Sequence, residues 1–217
     1  MSTQPLYHKI QSVFKRDPEN NHKTFLIGQW SEDSFRYLAD NVWVATEKID
    51  GTNTRIHISA DPEADGFYIG GRTERADLHP DLASHLHEIG QRADHLAGLT
   101  LYGEGYGAGI QKGGGNYRPD KGFILFDVLA VESNMWLQRE DVRDIAKQLD
   151  IPYAQTAWIG TLNDAVKWFA DGRAVPSAEL DGEAEGWVLR PEVELRDRRG
   201  NRVITKLKVR DFPERNG

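Results

Sequence analysis

The apolar residues of this chain fall in short runs, at 99–103, 123–131, 186–190 and 202–209, and this brevity limits the fold more than any other feature. Runs of this length flanked by glycine and charged residues read as strands. Val42, Val44 and Ala45 lead into Glu47-Lys48. After a break at Gly51, Thr54, Ile56 and Ile58 alternate with Arg55, His57 and Ser59 as a second strand. Helix signals lie between these strands. Ser31 reads as the N-cap of a helix over 32–38, and Pro80 opens a longer helix that Gly98 stops. Further helices are predicted at 138–149 and at 162–171, the latter with Thr161 as cap and Asp164 three residues on. Strands and helices mingle without strict βαβ alternation. The pattern therefore predicts an α+β fold of mixed, largely antiparallel sheets with packed helices, not a doubly wound sheet.

Apolar residues make up 39% of the 217, which excludes wholesale disorder and permits a sizeable core. No run approaches the roughly 18–20 apolar residues of a membrane span, and the polar start Met1-Ser2-Thr3-Gln4-Pro5 lacks a signal-peptide core. The chain has no cysteine, so disulfides, thiolate nucleophiles and Cys-based zinc sites are excluded. Together these features predict a cytoplasmic protein with no membrane partner. The formal charge of −7 argues against coating nucleic acid by bulk attraction. Residues 190–215 reverse that balance with nine basic side chains against five acidic ones, which allows either a phosphate-facing edge or a solvated strand pair.

Several segments carry candidate chemistry. In Glu47-Lys48-Ile49-Asp50-Gly51-Thr52-Asn53 a lysine stands at a strand end, followed by a carboxylate and a turn glycine. Such a lysine can act as a nucleophile where desolvation and nearby cations favour its neutral form; the three-residue pattern by itself also fits a charged hairpin turn. An ordered set follows it. Tyr102-Gly103-Glu104-Gly105-Tyr106-Gly107 places a carboxylate in a glycine-rich strand, and Phe123-Ile124-Leu125-Phe126-Asp127-Val128 ends an apolar strand with an aromatic and a carboxylate. Glu185 precedes the strand Gly186-Trp187-Val188-Leu189-Arg190, and Thr205-Lys206-Leu207-Lys208 turns two ammonium groups to one strand face. Carboxylates for a metal and a ribose, an aromatic for a base and cations for phosphates are what a nucleotide site needs. Trp187 reads as a packing residue. Gly103, Gly105 and Gly107 lack the spacing of a dinucleotide loop, and no P-loop is present. His79, His85, His87 and His95 read as surface residues rather than zinc ligands.

The order EKIDGTN, GGRTER, YGEGYG, FILFDV, EGWVLR and TKLK, spanning residues 47–208, resembles the covalent nucleotidyltransferase superfamily of polynucleotide ligases and mRNA capping enzymes. Within it the chain is most similar to phage-type nick-sealing RNA ligases. The resemblance implies a single nucleotidyltransferase (ligase adenylation) domain over 1–217 with no separate C-terminal domain. It implies that Lys48 attacks the α-phosphate of ATP to form lysyl-AMP, that AMP passes to a 5′-phosphate RNA end, and that a 3′-hydroxyl displaces it. Glu104 would hold the ribose and Phe126 would stack on adenine. Glu47, Asn53 and Arg72 would contact the nucleotide or the phosphate end. Lys206 and Lys208 would neutralise the α-phosphate, and Asp50, with Asn53, would serve the RNA-joining steps. Glu185 and Asp127 would position a divalent metal, Mg²⁺ or Mn²⁺. Arg190 departs from the lysine of many relatives. Implied partners are RNA ends or a nicked RNA duplex, with a further protein as a possible source of RNA binding. An mRNA guanylyltransferase using GTP, an ATP-dependent DNA ligase and a non-catalytic nucleotide- or RNA-binding module are the alternatives; the last has no need of a nucleophile.

Overall fold

Short strands dominate the chain as anticipated. The computed structural model describes residues 5–212. Its strands are β1 (Gln11–Ser12), β2 (Phe14–Arg16), β3 (Phe25–Trp30), β4 (Val42–Glu47), β5 (Thr52–Ile58), β6 (Phe67–Gly71), β7 (Leu99–Gly107), β8 (Lys121–Ala130), β9 (Met135–Trp136), β10 (Thr156–Thr161), β11 (Gly186–Pro191) and β12 (Thr205–Lys208). Its helices are α1 (Asp33–Tyr37), α2 (Pro80–Arg92), α3 (Arg139–Gln148) and α4 (Leu162–Ala170). They form two compact units, one from residues up to His8 together with 50–154, the other from 9–49 together with the chain beyond 154. No helix among the described residues is long and apolar enough to cross a membrane.

The first unit carries an antiparallel sheet in the order β6-β5-β7-β8-β9. Alternation along β5 sends Ile56 and Ile58 into a core with Leu82, Leu86 and Ile89 of α2 and Val142 and Ile145 of α3. The glycines of β7 sit where this core meets the backbone. A Cβ on Gly103 would lie 2.2 Å from the Phe123 ring, and one on Gly105 would lie 2.4 Å from Leu82. Helix α2 has proline in its first turn, and the His79 ring accepts from the Asp81 N–H at 3.2 Å. It stops at Ala93, earlier than Gly98. The Ala93 N–H turns back to the Gly90 carbonyl, a short 3₁₀ helix follows, and Gly98, at φ 83°, turns the chain into β7.

The second unit carries a mixed sheet, β1-β12-β11-β4-β10, in which only the β1–β12 pair is parallel. Trp43, Phe169, Trp187, Leu189 and Leu207 lie in its core. Trp187 stacks on Trp158 with ring centroids 5.3 Å apart, which is the packing role expected of it. Thr161 caps α4 as anticipated, accepting from the Asp164 N–H at 3.0 Å. Ser31 does not cap α1. Glu32 holds the cap position without a side-chain bond, and the Ser31 hydroxyl instead donates to the Ser12 carbonyl at 2.5 Å.

Candidate functional site

The second unit gathers three sequence motifs at one end of its sheet. Strand β11 pairs with β4 on one side and β12 on the other, with Trp187 opposite both Glu47 and Leu207. Glu185, just before β11, is thereby flanked by the residue that follows β4 and by the end of β12. The Lys48 N–H donates to the Gly186 carbonyl at 2.9 Å, and the Val209 N–H to the Glu185 carbonyl at 3.0 Å. Only glycine fits at 186, because a Cβ there would lie 2.0 Å from the Leu207 carbonyl oxygen. The Glu185 carboxylate bridges two lysines: Lys48 Nζ donates to one oxygen at 2.6 Å and Lys208 Nζ to the other at 2.5 Å. All three side chains are largely buried, at 15%, 21% and 13% exposed for Glu185, Lys48 and Lys208.

Charge in this cluster is strongly coupled. Burial pushes the Glu185 carboxyl up, but the charges of Lys48 and Lys208 and their hydrogen bonds outweigh it and hold it below its ordinary range. Lys206 shares the β12 face with Lys208. Burial, with the neighbouring charges of Lys208 and Lys48, lowers it to about 8 despite the opposing pull of Glu185. Three lysine side chains thus gather around a single carboxylate, a concentration of positive charge of the kind that can neutralise phosphate oxygens.

Glu47 has a different place. It is buried, and its carboxylate accepts from the Ser177 hydroxyl at 2.5 Å and the Ala178 N–H at 2.7 Å. The same hydroxyl accepts from the N–H groups of Glu179 and Leu180, so Glu47 anchors a tight turn. Of the basic segment near the C-terminus, Lys206, Lys208 and Arg210 line an open groove, whereas Arg202 is buried and bound through two nitrogens to Glu194. Arg190 is also buried. Glu214 and Arg215 lie outside the described residues.

The remaining expected site residues belong to the first unit. Asn53 of β5 lies opposite Glu104 of β7, which places both on one sheet face. The β7–β8 register slips between Tyr102 and Gly103, from Asp127 to Leu125, so Phe126 is the extra residue of a β-bulge. A bulge re-aims a side chain. Here Leu125 enters the core, while Tyr7 touches both Phe126, at 5.1 Å between ring centroids, and Asp127, to which its hydroxyl donates at 2.5 Å. Arg139 donates to the Phe126 carbonyl at 2.7 Å and thereby holds the bulge. Phe126 and Glu104 are half-buried, and Asp127 is buried. The Asp50 N–H donates to the Tyr117 hydroxyl at 3.3 Å. Arg72 is exposed, directly after β6. The buried Arg55 fixes that corner by donating to the Gly71 carbonyl and pairing with Glu74 at 2.7 Å. Tyr7, Arg55 and Arg139 escaped the sequence reading. Arg55 alone carried a signal, as a charge on a half-buried strand.

Among the described residues, no three His, Asp or Glu side chains cluster as a dedicated metal cage. Magnesium needs only one or two carboxylates when substrate phosphates complete its shell, and Glu185 can serve as one of them once phosphate draws Lys48 and Lys208 off its oxygens.

The model of the RNA ligase family matches residues 41–208. No curated protein matches the chain. Among solved structures, a Lys-to-Met variant of Naegleria gruberi RNA ligase with AMP and Mn aligns at 18% identity and a TM-score of 0.62, covering 92% of this chain and 56% of that one. A Lys-to-Ala variant of the same ligase with ATP and Mn aligns at 17% identity and a TM-score of 0.60, covering 92% and 56%. The ligase with PPi aligns at 19% and 0.61, covering 99% and 62%. The chain therefore spans a little over half the length of these structures, and the likeness is one of fold: the mixed α+β architecture is that of an RNA ligase adenylation domain. Since the family model takes in every motif from Glu47 to Lys208 and well over half of the residues, the chain belongs to the RNA ligase family.

Proposed function

We propose that this protein is an ATP-dependent RNA ligase that joins 3′-hydroxyl and 5′-phosphate ends through an AMP carried on Lys48, its two units working as one nucleotidyltransferase domain. The observation that carries this reading is the Lys48–Glu185–Lys208 cluster with Lys206 beside it, inside the family-matched range. A module that only bound nucleotide would have no need of a nucleophile.

In the first step Lys48 gives a proton to water and its Nζ attacks the α-phosphorus of ATP. The N–P bond forms, the P–O bond to the leaving group breaks, and pyrophosphate departs with the electron pair. Lys206 and Lys208 neutralise the negative charge that builds on the phosphoryl oxygens. In the second step a 5′-phosphate oxygen of RNA displaces Lys48 from phosphorus and the amine regains a proton. In the third a 3′-hydroxyl, giving its proton to water, attacks the activated 5′-phosphate; the new O–P bond forms, the P–O bond to AMP breaks, and AMP leaves with the electron pair. Glu185 would hold a divalent ion, which would supply charge neutralisation at the phosphates; in the first unit Asp127, oriented by Tyr7, is the other carboxylate assigned to metal binding. Glu104 would take the ribose hydroxyls and Phe126 the adenine face. Arg72, on its Arg55-braced corner, would meet a phosphate, and Asp50 and Asn53 would serve the RNA steps. Glu47 acts through the 177–178 turn. Work on RNA ends with a dissolved nucleotide suits the cytoplasm.

The test is transfer of label from α-labelled ATP to protein first stripped with pyrophosphate, with GTP in parallel. Label from ATP that survives denaturation and disappears in Lys48→Ala is expected. Label from GTP alone would turn the reading to capping, and label retained by Lys48→Ala would sink it.

A further inference from the structure

Beside the Lys48 cluster, and sharing Lys206 and Lys208 with it, the second unit has an open groove of about 670 Å³, half of whose lining residues are lysine or arginine. Lys9 precedes β1, Lys15 lies on β2, Lys23 in the β2–β3 turn, Lys206 and Lys208 on β12, and Arg210 among the residues that follow it. The one carboxylate in the lining, Asp211, is bound by both oxygens to Arg16 at 2.8 Å. Among the described residues no ion pair engages Lys9, Lys15, Lys23, Lys206 or Arg210. A chain of formal charge −7 thus concentrates unneutralised positive charge in a single concavity, the electrostatic signature of a polyanion site.

Burial is graded along this lining. Lys206 and Lys208 are its more buried members, while Lys9, Lys15, Lys23 and Arg210 are exposed. A compact anion would engage the inner lysine pair alone. An extended ligand with phosphates at regular intervals would engage the inner pair and the outer lysines together. We infer that the groove is a subsite for successive backbone phosphates of RNA, which enter it beside Lys206 and Lys208 and are gripped by Lys9, Lys15 and Lys23. This inference rests on the ligase reading and adds to it where the nucleic acid lies on the second unit.

The triple variant Lys9→Ala/Lys15→Ala/Lys23→Ala tests it, because exposed lysines without ion pairs can be removed with little effect on folding. Binding of a 5′-phosphorylated single-stranded RNA is followed by fluorescence anisotropy across a salt series, and label transfer from ATP is measured on the same preparations. The expected result is weaker RNA binding, a slope of log affinity against log salt shallower by about 2, from roughly 0.7 for each lost phosphate contact, and an unchanged KM for ATP. An unchanged slope would overturn the inference. A KM for ATP that rises while RNA binding holds would also overturn it and assign the groove to the nucleotide's phosphate tail. Absence of label transfer in the wild-type protein would refute the ligase reading itself, so the two failures are distinguishable.

Discussion

Replacing Glu185 with glutamine removes one charge and leaves the shape almost unchanged, so its effect isolates the electrostatics of the lysine cluster. In the native protein the carboxylate accepts from Lys48 at 2.6 Å and from Lys208 at 2.5 Å, with all three side chains at most about a fifth exposed. Charge-assisted hydrogen bonds contribute roughly 1.5–3 kcal/mol each, and removing one partner of a buried ion pair costs about 3–5 kcal/mol. Glutamine keeps one neutral acceptor, so the loss expected for Glu185→Gln is about 2–4 kcal/mol. For a chain of this size that lowers the melting temperature by roughly 6–12 °C at the middle of the range. Tryptophan fluorescence is a suitable probe, because of the tryptophans only Trp136 lies in the first unit.

The pH dependence has a defined sign. The carboxyl of Glu185 is held below its ordinary value of 4.5, so its contribution is fully present above that pH and is lost as pH falls through the lower native value. The difference between wild type and Glu185→Gln should therefore be full at neutral pH and close below pH 4.5. A variant that melts within about 1 °C of wild type at pH 7 in low salt would refute the reasoning, as would a gap that closed on the alkaline side.

Two further substitutions separate the neighbouring roles. Lys206, lowered to about 8, loses its charge as pH rises through that value, so single-turnover label transfer should decline above pH 8. In Lys206→Arg, which stays charged, that alkaline limb should vanish; superimposable profiles would contradict the assignment. Glu47→Ala strips the Ser177 hydroxyl and the Ala178 N–H of their acceptor, and should cost about 2–4 kcal/mol in denaturant unfolding. The KM for ATP should stay near wild type, whereas a large rise with unchanged stability would mean that Glu47 touches the nucleotide directly.

The motifs of this fold are legible in sequence because an antiparallel sheet brings strand ends together. Lys48 follows β4, Glu185 precedes β11 and Lys208 ends β12, so Lys48 and Glu185, 137 positions apart, meet through ladders of ordinary register, with Lys208 on the other side of Glu185. Each motif therefore appears in the chain as a strand with a charge at its end, with a glycine beside it at Gly51 and Gly186, and Gly186 is there because the Leu207 carbonyl leaves no space for a side chain. What stayed hidden lacked such a local signature. The strands β1–β3 and β10 carry exposed polar residues among their apolar ones, and their place follows from partners far along the chain, such as Thr205 opposite Gln11 and Val44 opposite Ile159. The aim of Phe126 depends on a bulge that no period-two pattern encodes, and Tyr7 reaches Asp127 across 120 residues.

The same distinction bears on the overall charge. A net −7 weighs against nucleic-acid binding only if the charges are evenly spread, because a protein field acts through its local distribution. Lys9, Lys15 and Lys23 lie six to eight residues apart and form no basic run longer than the Lys15-Arg16 pair. Their convergence with Lys206, Lys208 and Arg210 on one groove arises from the parallel pairing of β1 with β12, which lays the start of the second unit against the lysine strand. One long-range pairing thus turns an acidic sequence into a surface with a locally cationic face, and that face lies beside the lysines that would neutralise the reacting phosphate.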